Sequence, residues 1–340
     1  MTSKNSPVTL AGTTVHPGEV RKIELPVVKL YTDTQMSIPV QVHCGKQAGP
    51  TLFLSAAIHG DELNGVEIIQ RLINSRAMQK VRGTVLAVPM VNVYGVLNQT
   101  RYLPDRRDLN RSFPGSSRGS LAARMADLFL REIVQRCDYG IDFHTGAIHR
   151  SNLPQIRADL SDDDTKRLAS AFGVPVILNA NVRDGSLRQS AAEEGAKVLL
   201  YEAGEALRFD ELAIRAGVRG TLNVMRALGM LPASRRKPSY EPVEAHYSRW
   251  LRATDSGFIR HRKQLGDQVE RGDILADIVD PYGTLLDSII TKQDGIIIGK
   301  QNIPLVQEGE AVYHIACFSQ PDEVSDNWEQ FQDDLLPDTD

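Results

Sequence analysis

The chain is poor in aromatic residues, at 6% of its length, and carries only three cysteines. Cys44, Cys137 and Cys317 are far apart and odd in number, so they build no disulfide framework and read as small apolar residues of the interior. An excess of positive charge is also lacking. The formal net charge of −4 leaves no basic field to attract nucleic acid. No run is long and apolar enough to cross a bilayer, and no membrane partner is expected. Residues 1–18 lack the charged-then-apolar order of an export signal, so a cytoplasmic enzyme is expected. What the chain does have is length: 340 residues suffice for a sizeable core and for two domains.

The stretch Ala57-Ile58-His59-Gly60-Asp61-Glu62-Leu63-Asn64 organises the rest. Residues 51–55 before it are an apolar run of strand type, and residues 65–73 after it carry apolar side chains at helical spacing. His59 and Glu62 thus fall at a strand-to-helix turn, three positions apart, where two side chains share a face and can converge on one ion. An imidazole and a carboxylate are two of the three ligands of a hydrolytic zinc site of the two-His, one-Glu kind, whose fourth position is left to water. His144 supplies the third, at the end of a buried strand over residues 139–143 that follows an amphipathic segment, 121–136. Another strand, 196–201, ends at Glu202. Ligands of open α/β sheets gather at the carboxyl ends of parallel strands, so all four side chains are expected at one sheet edge. A lone H-x-x-E pattern specifies little; the joint placement of four residues specifies more. His149 lies close by, but a catalytic zinc keeps one position open, and it is left outside the ligand set.

Residues 94–119 show no helical period and a high density of Arg, Asp and Asn. Arginine runs are commonly a solvated face, but here they alternate with Asp, Pro and Phe, as in an ordered functional loop. Arg111 beside Asn110 suits a carboxylate held by a planar fork, and Arg101 suits a place facing the scissile carbonyl. Arg188, shortly before the Glu202 strand, adds a further positive group, and Asp142 stands two residues from His144, where it can orient the ring.

The remaining chain divides by composition. Residues 1–45 form a polar segment, disordered to about residue 20, followed by an antiparallel pair of strands around 27–31 and 38–42. Residues 46–232 form the hydrolase domain, with further strands at 83–92, 150–158 and 174–178 and helices at 162–172, 186–194 and 210–228. Residues 233–246, Pro-rich with an Arg-Arg-Lys run, read as a linker; 247–318 as a small all-β module of short strands and Gly-Asp turns; 319–340, without Lys or Arg, as a solvated acidic tail.

The set His59-x-x-Glu62, Asp108-Leu109-Asn110-Arg111, Asp142-Phe143-His144-Thr145-Gly146 and Tyr201-Glu202-Ala203-Gly204, in this order, resembles the succinylglutamate desuccinylase/aspartoacylase family, a branch of the zinc carboxypeptidase-like hydrolases. The resemblance spans about residues 48–230. It implies an α/β fold with a mixed, mostly parallel central sheet flanked by helices, one zinc per chain, and hydrolysis of a small N-acyl amino acid. It implies His59, Glu62 and His144 as zinc ligands, Glu202 as general base, Arg101 as carbonyl polariser, Asn110 and Arg111 as a carboxylate clamp, and Arg188 as another substrate arginine. The β module resembles a biotinyl/lipoyl-like barrel-sandwich domain. Its hairpin at Asp280-Pro281-Tyr282-Gly283 has no lysine to modify, which argues against a carrier. Such a module accompanies the branch containing N-acetyl-diaminobutyrate deacetylases, which favours a short acyl group over succinyl. A zinc carboxypeptidase acting on peptides would use the same metal and base. A non-catalytic metal-binding protein would have no use for Glu202 or the arginine loop. Whether the chain forms a homo-oligomer stays open.

Overall fold

The structure is a computed structural model that describes residues 3–180, 185–234 and 240–335. It begins with order where the sequence suggests disorder. Val8–Leu10 (β1) and Thr13–Val15 (β2) pair around Ala11 and Gly12, whose positive φ values of 45° and 77° suit a tight hairpin. Leu10 and Val15 are fully buried. The overall polarity of this stretch hides the few apolar residues that dock it. The antiparallel pair that follows, Val20–Lys29 (β3) and Gln35–Cys44 (β4), is longer than the strands expected around 27–31 and 38–42 and turns already after Lys29.

The central elements are Thr51–Ala56 (β5), Asn64–Ile73 (α1), Thr84–Val88 (β6), Val93–Asn98 (α2), Leu121–Glu132 (α3), Tyr139–Gly146 (β7), Arg150–Ala158 (β8), Asp163–Phe172 (α4), Val176–Asn179 (β9), Leu187–Glu193 (α5), Lys197–Glu205 (β10) and Glu211–Ala227 (α6). Helix starts are written in the sequence: Ser120, Asp162, Ser186 and Asp210 each accept a hydrogen bond from the backbone N–H three residues on. The short α2 interrupts the supposed loop; six residues are too few to show a period, and only its cap, Asn92 accepting from Gly95, marks it.

The C-terminal part comprises Val243–Ala245 (β11), Tyr247–Arg252 (β12), Gly257–His261 (β13), Gln268–Val269 (β14), Ile274–Val279 (β15), Leu285–Ile290 (β16), Gly295–Gln301 (β17), Leu305–Val306 (β18), Ala311–Cys317 (β19) and Pro321–Leu335 (α7). Among the described residues, one mixed sheet of thirteen strands runs β12-β19-β17-β8-β10-β7-β5-β6-β4-β3, with β9, β11 and β14 attached off this path. Its centre, β10-β7-β5-β6, is parallel, so four carboxyl ends meet at one edge. Helices α1, α4, α6 and α7 cover one face, and α3, α5 and the β1–β2 hairpin the other. Strand β5 is buried on both sides, Leu52 and Leu54 in the first core and Phe53 in the second, which is why it reads as an unbroken apolar run.

Three further expectations change. The β module is not tethered apart: β17 pairs antiparallel with β8, so β12, β19 and β17 extend the central sheet. A second sheet, β16-β15-β13-β18, closes over a third core that includes Leu275, Ile278, Val312 and Tyr313. Residues 235–239 of the supposed linker lie outside the described residues, and its end is a strand, β11, parallel to β9. The acidic tail is helical to Leu335. Val324, Trp328, Phe331 and Leu335, spaced four, three and four, are buried, and Arg219 lies 5.0 Å over the Phe331 ring. A sparse apolar stripe outweighs the composition around it. All three cysteines are free, Cys44 and Cys317 buried and Cys137 half-buried. Among the described residues no helix is long and apolar enough to cross a membrane.

His314 on β19 stacks on Trp250 of β12, ring centroids 4.6 Å apart and planes 7° from parallel. Burial, helped by the charge of Arg157, pushes its imidazole down to about 3; burial and Lys300 push His261 down to about 4. Both rings are neutral in the fold, whereas in the unfolded chain they protonate below about 6.5. Between those values the unfolded state binds more protons, so their contribution is fully present above about pH 6.5 and is lost as pH falls. His314 Nδ1 has no hydrogen-bond partner among the described residues, so His314→Phe keeps the stack and removes the proton site. The loss of unfolding free energy between about pH 6.5 and 4.5 is expected to shrink by ~2 kcal/mol in that variant. Urea denaturation at the two pH values measures it, and an unchanged difference would show that His314 titrates as an ordinary histidine.

Candidate active site

Strand β5 ends at Ala56, and Ala57, with φ of 51°, starts the turn that carries His59 to Glu62. The Glu62 N–H donates to the His59 carbonyl at 3.1 Å. Two glycines bring this turn against its neighbours. A Cβ on Gly60 would stand 1.9 Å from the Gly95 carbonyl carbon, and one on Gly65 would stand 2.5 Å from Phe143 Cβ. The turn therefore seats on α2, and the start of α1 on β7, which brings Glu62 to His144.

His59 Nδ1 lies 2.8 Å from Glu62 Oε1 and His144 Nδ1 lies 2.8 Å from Glu62 Oε2. The three ligand atoms fall within 4.8 Å of one another, and all three residues are buried. The outer nitrogens face carboxylates: His59 Nε2 is 3.2 Å from Asp108 Oδ1, and His144 Nε2 is 2.8 Å from Asp142 Oδ2. Asp142 in turn accepts from the Ser55 hydroxyl at 2.6 Å. Ionised carboxylates only accept, so each Nε2 donates to its outer carboxylate; each Nδ1 faces Glu62, and a cation seated between them would take the Nδ1 lone pairs in place of protons. Arg101 also favours a lone pair on His59: its Nη1 is 3.2 Å from Nδ1, and a guanidinium can only donate. Two imidazole lone pairs and one carboxylate around one point fit a divalent ion of the zinc kind.

The charges agree. Burial opposes protonation of His144, yet Asp142 and Glu62 override it and drive its pKa well above the ordinary imidazole value; Glu62 and Asp108 raise His59 against burial in the same way. Burial would raise Glu62, but the two imidazoles hold it far below the usual carboxylate range. In each contest the cluster calls for positive charge, which a cation supplies.

Glu202 stands directly across from His144 in the parallel β10–β7 register, so both side chains leave the same face. A single cavity of about 490 Å³ is lined by the three donors, by Glu202, and by Arg101, Asn110, Arg111 and Arg188. Arg101 is held beside the donors by Asp108, at 3.1 Å from Nε and 2.8 Å from Nη2. Asn110 accepts the Leu187 N–H at 2.9 Å through its side-chain oxygen, which ties the arginine loop to the start of α5 and so to Arg188. All eight residues singled out in the sequence thus border one space. His149, with φ of 64°, is outside the donor cluster and gives its N–H to Glu205.

The model of the succinylglutamate desuccinylase/aspartoacylase catalytic domain matches residues 48–228. The chain belongs to this family. Among curated relatives, the N-alpha-acetyl-L-2,4-diaminobutyric acid deacetylase of Halomonas elongata is 28% identical over 294 residues, covering 82% of this chain and 85% of that one. A succinylglutamate desuccinylase of Shewanella denitrificans is 30% identical over 115 residues, 34% of this chain and 31% of the other. Of the solved structures, the succinylglutamate desuccinylase/aspartoacylase of Rhodobacter sphaeroides has a TM-score of 0.77 at 25% identity, covering 88% of this chain and 95% of its own. The product-bound ectoine utilization protein of Ruegeria pomeroyi shares the fold, with a TM-score of 0.81 at 24% identity over 92% and 98% of the two chains.

Other residues of this family member's site escaped the sequence reading. Asp108 is a hub: it accepts from Arg101 and His59, and from the Asn110 N–H at 2.8 Å, which caps the short turn Leu109–Arg111. Its place in the Asp-Leu-Asn-Arg motif was its only signal. Asn152 and Arg157 of β8, and Trp250 of β12, also line the cavity. Nothing in their local sequence marks them, because the adjacency of β8 to β10 and of β12 to the cavity is set by backbone pairing.

Proposed function

We propose that the chain is a zinc-dependent deacylase, binding one zinc per chain, that hydrolyses the amide bond of an N-acyl amino acid. The observation that carries this reading is the trio His59, Glu62 and His144, with both outer imidazole nitrogens fixed by carboxylates, one strand pairing from Glu202. Zinc at such a site supplies Lewis acidity, which makes water nucleophilic near neutral pH and polarises a carbonyl. Glu202 takes the proton of the attacking water and returns it to the departing amine. Arg101, already beside the donor set, turns an N–H to the oxyanion as it develops, a contribution of about 3 kcal/mol for one such donor. Arg111 and Asn110 hold the substrate carboxylate, with Arg188 across the same cavity. Asp108 and Asp142 keep the imidazoles in the tautomer that binds metal. The relative aligned along most of both chains has an acetyl group in its substrate's name, which favours a short acyl group.

The test is a screen of metal-stripped protein, with and without added zinc, against N-acetyl, N-succinyl and N-formyl amino acids and a peptide with a free carboxyl terminus. Turnover of acyl amino acids that appears only with zinc is the expected result, with the peptide at least about tenfold slower. Peptide cleavage without deacylation would replace this reading by the carboxypeptidase one, and full activity in the stripped protein would remove the metal.

A further inference from the structure

Glu202 is held by one oxygen. Its Oε2 lies 3.1 Å from Asn152 Nδ2 and 3.1 Å from Arg157 Nε, both on β8, the neighbour of β10 on the side away from the metal donors. No hydrogen bond to Oε1 occurs among the described residues. The two contacts differ in kind. Asn152 donates a directed hydrogen bond, whereas the Arg157 N–H is close but not aimed at the carboxylate, so that contact is ionic.

The ladder explains why these two residues reach it. Gln155 is the direct partner of Glu202, and Arg157, two residues on, shares its face. Between Glu202 and Gly204 the register shifts, with three residues of β8 spanning two of β10, and this bulge turns Asn152 onto the same face. Asn152 is gripped from its other side by the C-terminal module, where Gly299 of β17 is its partner. A Cβ at Gly299 would lie 3.1 Å from Asn152 Oδ1, 3.0 Å from His314 Cβ and 3.4 Å from the Trp250 ring, so the glycine lets β17 close on the asparagine.

A carboxylate across one strand pairing from a cation site has an alternative to accepting protons: it can swing onto the metal and fill the position that water needs. We infer that Asn152 and Arg157 are positioning residues that hold Glu202 back from the metal with Oε1 turned to the substrate, and that the C-terminal module acts on catalysis through its grip on Asn152. This rests on Glu202 being the proton acceptor.

The experiment compares zinc-loaded Asn152→Ala, Arg157→Gln, Arg157→Lys and Gly299→Ala proteins, each with and without Glu202→Gln, for kcat, KM and zinc retention against a chelator. Asn152→Ala and Arg157→Gln are expected to lower kcat by ~10–100-fold, with KM within about threefold and zinc held at least as firmly as before. Arg157→Lys keeps the charge and should recover part of the loss; it carries the same comparison should Arg157→Gln not fold. In the Glu202→Gln background the same changes should cost almost nothing more, because what they position is gone. Equal losses in both backgrounds, or zinc lost in step with activity, would overturn the proposal and leave Glu202 as the base. A near-normal kcat in Glu202→Gln alone would overturn the reading of Glu202, and the proposal with it. Gly299→Ala should follow Asn152→Ala in direction; an unchanged kcat would remove the module from the mechanism.

Discussion

Glu202→Gln is expected to lower kcat by about 10³-fold and leave zinc in place, whereas His144→Ala should lose both. Glutamine has nearly the same shape as glutamate, and its carbonyl oxygen can still accept from Asn152. What it cannot do is take a proton from water at neutral pH. Since Glu202 is not among the three clustered donors, zinc stoichiometry should be unaffected. His144→Ala differs on each count. It removes one inward lone pair, and it leaves Asp142 and Glu62, both buried, without the ring that stands between them. Loss of a buried counter-group is costly, on the order of 3 kcal/mol, so the variant should also melt earlier. Zinc content, turnover and melting temperature from the same preparations decide between the roles. A Glu202→Gln enzyme at near-normal rate would sink the base, and stoichiometric zinc in His144→Ala would sink the ligand.

The centre of the site was legible because each of its residues ends an apolar run. His59 follows β5, and His144 and Glu202 lie near the ends of β7 and β10, which run on to Gly146 and Glu205; the apolar runs before all three stand out, and the parallel-strand rule then puts their carboxyl ends together. Residues that steady the centre were not legible. Asn152 and Arg157 act through β8, which runs antiparallel to β10, and Trp250 reaches the cavity from a strand that joins the same sheet through β19 and β17. Strand adjacency is made by backbone N–H and C=O groups that every residue carries, so no side-chain pattern announces it. The ordered ends were missed for another reason. Averaged polarity outweighed Leu10 and Val15 at one end and Trp328 and Phe331 at the other, although four apolar residues at helical spacing suffice to dock α7 on the first core.

Arg111→Ala is expected to reduce kcat/KM for an N-acyl amino acid by about 10²–10³-fold, and to have little effect on the corresponding primary amide. The turn that carries Arg111 is anchored within the fold itself. Asp108 caps its turn through the Asn110 N–H, Asn110 is tied to Leu187, and the Arg111 carbonyl packs so closely on Gly185 that a Cβ there would come within 2.9 Å. With its turn fixed at three points and its Nη1 donating to the Asn110 carbonyl, the guanidinium is partly ordered in advance, so the charge-assisted pair is expected to appear as binding in both ground and transition state. Arg111→Lys keeps the charge without the fork and should lose about tenfold, which separates geometry from charge. The deciding quantity is the acid-to-amide ratio of kcat/KM, since a change in fold or metal would lower both substrates together. Equal losses would mean that Arg111 does not read the carboxylate. If Arg188→Ala then gives the selective loss instead, the anion lies on the α5 side of the cavity and Asn110 serves to hold that helix in place.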